Sequence, residues 1–151
     1  MQKSDAALEV TQRTEFSCCY LDKYIDNTGS EKYRLNAYQY KLEATVQGLP
    51  DNTSNKLIDF KIFKKILKEA SPEGQFLYDV NDQKQVLVTT AFNACNVSCY
   101  PIRGSVSVEN ILKHISQVVD SFIESNYSDV HLKETKLRET ASSYVTWRKE
   151  F

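Results

Sequence analysis

The residues best suited to chemistry in this chain are four cysteines and two histidines. Cys18 and Cys19 are adjacent, and side chains that follow one another along a strand point to opposite faces, so the two cannot jointly hold one ion from a regular strand. Cys95 and Cys99 form a Cys-x-x-x-Cys pair, half of a zinc site, but no second Cys or His pair stands nearby and they read as buried or loop thiols. His114 falls on the polar side of an amphipathic run and His131 within an alternating one; both read as surface or satisfied structural histidines. Lys61, Lys64, Lys65 and Lys68 recur along another amphipathic run, the pattern of a solvated helix face rather than of an anion site. Asn36 and Tyr38 lie two apart in the longest alternating stretch and therefore point the same way, towards whatever the apolar face of that stretch covers.

The bulk numbers narrow the classes. A chain of 151 residues with 41% hydrophobic and 26% charged composition supports one core, so a single domain spanning 1–151 is expected. A formal charge of -1, from 19 basic and 20 acidic residues, leaves no electrostatic footprint for nucleic acid. Small molecules or proteins are the expected partners. No run approaches the roughly 20 apolar residues that span a bilayer, and the N-terminal residues lack an apolar signal core. A cytoplasmic location is expected, which makes the sequons at Asn52, Asn96 and Asn126 chance matches. Four cysteines are too few at this length for a disulfide framework.

The elements that must position these residues follow from periodicity. Leu8 to Tyr20 alternates, with Phe16, Cys18 and Tyr20 on one side. Turn residues Asp26 to Ser30 join it to a second strand, Tyr33 to Gly48, whose Tyr38, Tyr40, Leu42, Ala44 and Val46 share a face. The two are expected to form an antiparallel hairpin. After a loop over 49–55, Asp59 caps a helix from Phe60 to Ala70, with Phe63, Ile66, Leu67 and Ala70 at helical spacing. Pro72 and Gly74 end it. Residues 71–104 read as an insertion holding a short strand from Val86 to Phe92 and a loop from Cys95 to Gly104. Ser107 then caps a second helix with the stripe Val108, Ile111, Leu112, Ile115, Val118, Val119 and Phe122. Val130 to Thr135 and Ser142 to Trp147 read as closing strands. Paired strands around paired helices predict an α+β domain, an antiparallel sheet of four strands with both helices on one face.

At this point the residues resemble a known family, the 6-pyruvoyl- and 6-carboxy-tetrahydropterin synthases of the tunnelling, or T-fold, architecture. Phe16-Ser-Cys-Cys-Tyr20 resembles the family's Phe-Ser-Ala-Ala-His, and Arg34-Leu-Asn-Ala-Tyr-Gln-Tyr40 its Arg-Leu-His-Gly-His-Asn-Tyr. Leu57-Ile-Asp-Phe60 is similar to Val-Met-Asp-Phe, Ser107-Val-Glu-Asn110 to Thr-x-Glu-Asn, and Lys133-Glu-Thr135 to Trp-Glu-Thr. The likeness runs from about residue 8 to 148. It implies a ββααββ order and sheets that join edge to edge into an oligomeric β-barrel, hence a homo-oligomer.

In that family three strand histidines hold a zinc ion. Their counterparts here are Tyr20, Asn36 and Tyr38, so the resemblance implies a member without the metal, since two phenols and an amide are poor zinc ligands. The family's proton-shuttling cysteine corresponds to Lys32, and its Asp-His pair falls near Glu73 and Gly74. Its pterin-anchoring glutamate corresponds to Glu134, which shares alternation with Val130 and Leu132 and is expected to point inwards; the acidic residue opening the second helix corresponds to Glu109. Three functions follow as expectations, none with a cofactor. The first is a zinc-free protein that has lost the lyase chemistry and binds a pterin- or purine-like ring through Glu134 and Glu109, beside Tyr20, Asn36 and Tyr38. The second is a structural or interaction subunit. The third is a working enzyme of pterin or queuosine-precursor biosynthesis, with Lys32 as its base.

Overall fold

β1 (Leu8–Ile25) and β2 (Glu31–Gly48) make one long antiparallel hairpin in register from Leu8 opposite Gly48 to Ile25 opposite Glu31. The computed structural model describes residues 7–150; the sequence reading of a missing signal core rests mainly on residues outside that range. At the hairpin tip the Asp26 carboxylate accepts the backbone N–H groups of Thr28 and Ser30, and Gly29 takes φ +82°, a left-handed turn that suits a residue without Cβ. Alternation is strict in the middle of the hairpin. Phe16, Cys18, Tyr20, Tyr40, Leu42, Ala44 and Val46 are buried in the core, while Glu15, Ser17, Gln39 and Lys41 are exposed.

Four further strands extend the sheet, β3 (Gln75–Asp79), β4 (Cys99–Ile102), β5 (Val130–Arg138) and β6 (Tyr144–Arg148), in the order β4-β3-β1-β2-β5-β6. β3 runs parallel to β1 and β4 parallel to β3, whereas β5 and β6 pair antiparallel. α1 (Phe60–Ala70) and α3 (Val108–Asn126) bury Phe63, Ile66, Leu67, Ile111, Ile115 and Val119 in the same core as the even-numbered hairpin residues. Their caps are those read from the sequence: Asp59 accepts from Lys61 N and Ile62 N, and Ser107 from Asn110 N. The inner stripe of α3 turns out to end on buried Ile123, with Val118 and Phe122 exposed.

The four-stranded, all-antiparallel sheet with two helices, closed into an oligomeric barrel, is overturned: among the described residues the sheet is open, six-stranded and mixed, and there are three helices. The difference lies in residues 71–104, which build a β-α-β unit. The stretch expected to be a short strand is a helix, α2 (Gln83–Ala94), capped by Asp82, and part of the expected loop is β4. α2 lies on the face opposite α1 and α3. Leu77 joins the main core, whereas its neighbour Phe76 points the other way and stacks on Phe92 of α2 at 4.6 Å. A parallel neighbour needs a crossover, which α1 and α2 provide.

A second irregularity sits in β5. Leu132 pairs with Val46 but Glu134 with Thr45, so Lys133 is a bulge and the alternation flips there. Val130 and Leu132 before the bulge, and Thr135 and Leu137 after it, are buried. Glu134 is thereby turned to the open face, correcting the inward direction that strict alternation predicts. Gly48 is required at the end of β2, because a Cβ there would lie 1.9 Å from the Asp129 carbonyl oxygen. Among the described residues, no helix is long and apolar enough to cross a membrane.

Candidate functional site

The hairpin brings Tyr20, Asn36 and Tyr38 together. Tyr20 stands opposite Asn36 and Cys18 opposite Tyr38, so all share the core face. The ring of Tyr38 stacks on Tyr20 at 4.7 Å and on Tyr40 at 5.7 Å, nearly parallel to both. The Tyr20 and Tyr40 hydroxyls are hydrogen-bonded at 2.8 Å. At the outer end of the stack Asp22 completes the group: Tyr38 Oη donates to its Oδ2, and Asn36 Nδ2 donates to the same oxygen at 2.6 Å. Tyr20 is 4% exposed and Tyr40 1%, with Asn36, Tyr38 and Asp22 half-buried.

The electrostatics follow from this packing. Burial, reinforced by the Tyr40 hydroxyl, raises the Tyr20 pKa well above the tyrosine range, and burial does the same for Tyr40. Tyr38 is raised by burial and then by its hydrogen bond to Asp22. Burial pushes the neighbouring Cys18 thiol up to about 12. The phenols therefore keep their protons at neutral pH and act as donors to one another and to a carboxylate. Such a group can stack and hydrogen-bond, but it contains no activated nucleophile.

The zinc implied by the family resemblance does not fit this donor set. Tyr20 is turned to Tyr40, while Asn36 and Tyr38 spend their donors on Asp22, leaving one carboxylate as the only anionic ligand. Among the described residues, no three of the His, Cys, Asp and Glu side chains converge as metal ligands.

The other sequence candidates are dispersed. Lys32 lies near the exposed hairpin tip, its Nζ 3.9 Å from Asp26 Oδ2 and roughly 13 Å along the strand from Asn36. Glu134 pairs with Arg148 on β6 at 3.1 Å on the open face. Glu109 is an exposed residue in the first turn of α3, where a carboxylate favours the helix dipole. Glu73 accepts the Ser17 backbone N–H, and Gly74 N donates to Ser17 O at 2.7 Å, so this pair fastens the start of β3 to β1. Cys18 is buried, Cys19 and Cys99 are half-buried, and Cys95 is exposed, all as free thiols. His131 meets Glu124 at 2.8 Å, and His114, assigned by the sequence to a polar face, is half-buried with its ring edge on Tyr100 at 5.2 Å. Asp22 was legible only as a residue two beyond Tyr20 and hence on its face, if the strand is carried past Tyr20.

A family model described as 6-pyruvoyl tetrahydropterin synthase matches residues 9–150. The chain belongs to that family. No curated protein matches it by sequence. Among solved structures it is similar to the 6-pyruvoyl tetrahydropterin synthase of Plasmodium vivax, with a TM-score of 0.60 and 16% identity over 97% of this chain and 100% of that one. It is also similar to the Caenorhabditis elegans 6-pyruvoyl tetrahydropterin synthase, with a TM-score of 0.63 and 16% identity over 96% of this chain and 97% of that one. An uncharacterised Wolinella succinogenes protein matches with a TM-score of 0.63 and 16% identity over 95% of this chain and 99% of that one. At such identities the synthase structures share the fold with this chain, and its chemistry has to be argued from its own residues.

Proposed function

We propose that this member of the 6-pyruvoyl tetrahydropterin synthase family has given up zinc-dependent lyase chemistry and retains binding of a flat, pterin- or purine-like ring. The observation that carries the reading is the closed cluster at the three histidine counterparts: two phenols and an amide whose donors already go to Tyr40 and Asp22. A site without Lewis acidity or an ionised nucleophile cannot drive the elimination, but polar groups arranged around aromatic surface can still hold a heterocycle.

Glu134 is the proposed anchor. Its carboxylate, with a side chain 19% exposed, can exchange Arg148 for the paired amino and ring N–H donors of such a heterocycle. Half-buried Asn36 and Tyr38, backed by Tyr20, and the carboxylate of Glu109 stand on other parts of the subunit. In this reading a second copy of the chain brings one of these groups to Glu134. Titration calorimetry with neopterin, biopterin and guanine on wild type and Glu134→Ala tests the proposal. Heat in wild type that is lost in the variant supports it. The alternative, an assembly subunit without ligand, is favoured by the Glu134–Arg148 ion pair, which satisfies the carboxylate without any ring; absence of heat in both proteins selects it. Light scattering checks the homo-oligomer.

A further inference from the structure

The far edge of the sheet carries a groove of different character. β4 is the terminal strand, and between it and α3 lies a cleft of about 700 Å³. Its floor and one wall are apolar, from Pro101 and Ile102, and its rim carries Arg103, Lys113, His114 and Gln117. Among the described residues, no carboxylate lines it.

Two properties mark these cations as available to a ligand. On the sheet Arg13 is answered by Glu43, Lys41 by Glu15, Lys133 by Glu9 and Arg148 by Glu134, while Arg34 lies over the Tyr24 ring and Lys136 and Arg138 over that of Tyr144. Among the described residues, no carboxylate lies within ion-pair distance of Arg103 or Lys113. Two like charges bordering one cleft repel, and the apolar wall beside them lowers the screening that water would provide. The groove is also preformed. Arg103 precedes Gly104, at φ +91°, and the loop is braced by Asn110 Nδ2, which donates to Ser105 O at 2.7 Å. Lys113, His114 and Gln117 project from successive turns of a helix whose opposite side is fixed in the core, and His114 is further held edge-on against Tyr100.

We infer that this groove is a binding site for a small molecule bearing an oxyanion, a phosphoryl or carboxylate group, with the oxyanion between Arg103 and Lys113 and an apolar portion against Pro101 and Ile102. The guanidinium supplies a planar fork of donors and the ammonium a mobile point charge, with the His114 ring and the Gln117 amide available to the same ligand. The site is separate from the Glu134 anchor of the ring-binding reading, which lies on the opposite face of the sheet.

The presence of two histidines in the whole chain makes the test direct. Pyrophosphate, and in a second arm citrate, is titrated into the protein at fixed pH while the ring resonances of His114 and His131 are followed by NMR. The expected result is a saturable shift of His114 with His131 unmoved, weakened at least tenfold by Arg103→Gln with Lys113→Gln and unchanged by Lys64→Gln with Lys68→Gln, which removes the same charge from α1. Stronger binding of pyrophosphate assigns a phosphoryl ligand, and stronger binding of citrate a carboxylate. No saturable shift at His114 with either probe, or equal weakening by both double variants, would overturn the inference. The wild-type titration decides the question by itself should a double variant fail to fold.

Discussion

The centre of the sheet and its β4 edge deal with polar groups in opposite ways. In the hairpin the donors of Tyr20, Asn36 and Tyr38 are directed at neighbours within the protein, and the cluster is closed by Asp22. Along β4 and α3 the cationic groups of Arg103 and Lys113 border a cleft with no carboxylate partner among the described residues. Buried polar groups that satisfy one another contribute to stability, whereas unanswered charges at a preformed cleft contribute little to folding and are available to a ligand. Where the family resemblance implies a metal centre, this chain has built structure, and the cations of the β4 cleft stand apart from it.

Substitutions should separate the two regions by the size of their effect on stability. Tyr40→Ala removes a ring that is 1% exposed and packed on Phe16 and Tyr38, and should lower unfolding free energy by about 3–5 kcal/mol in chemical denaturation. A loss below about 1 kcal/mol would mean that the stack is not a structural unit. Asp22→Ala leaves the Tyr38 and Asn36 donors without their shared acceptor and should cost about 1–3 kcal/mol. Arg103→Ala, beside the edge strand β4, should stay within about 0.5 kcal/mol of wild type. Were Arg103→Ala to cost as much as Asp22→Ala, the contrast between the regions would collapse.

Alkaline pH probes the same cluster without mutation. Cys18, Tyr20 and Tyr40 all have pKa values raised by burial above their ordinary 9.0 and 10.0. Each therefore loses its proton in the unfolded chain before it does so in the folded one. Their contribution is fully present below the unfolded pKa values and is lost as pH rises towards the folded ones. The denaturation midpoint should hold near about pH 8 and fall by about pH 11, with part of the tyrosinate absorbance appearing only on unfolding. A midpoint that is flat over this range, with all tyrosines titrating in the folded protein, would show that the phenols are not sealed.

How much of this was legible depended on whether a segment's sequence carried its own environment. The middle of β2 was readable because the alternation from Tyr38 to Val46 records one wet and one dry face. α1 and α3 were readable from Asp59 and Ser107 together with their apolar stripes. α2 was not, since Val86, Leu87, Val88 and Phe92 are apolar on several sides and rich in β-branched residues, and the helix is fixed by tertiary contact between Phe92 and Phe76. β4 was masked by Pro101, which an edge strand tolerates. The bulge at Lys133 has no local signature, and it reversed the direction assigned to Glu134. In the candidate site, Tyr20, Asn36 and Tyr38 were found by comparison with the family pattern. Asp22 was missed because the first strand was ended at Tyr20, although β1 continues to Ile25.

The central claim is that the hairpin cluster is a closed polar and aromatic unit in place of a zinc centre. Elemental analysis of protein purified without chelator, then incubated with zinc and desalted, tests it most directly. Zinc far below one ion per chain is expected before and after incubation; zinc near one per chain, lost in Asp22→Ala, would contradict the closed cluster.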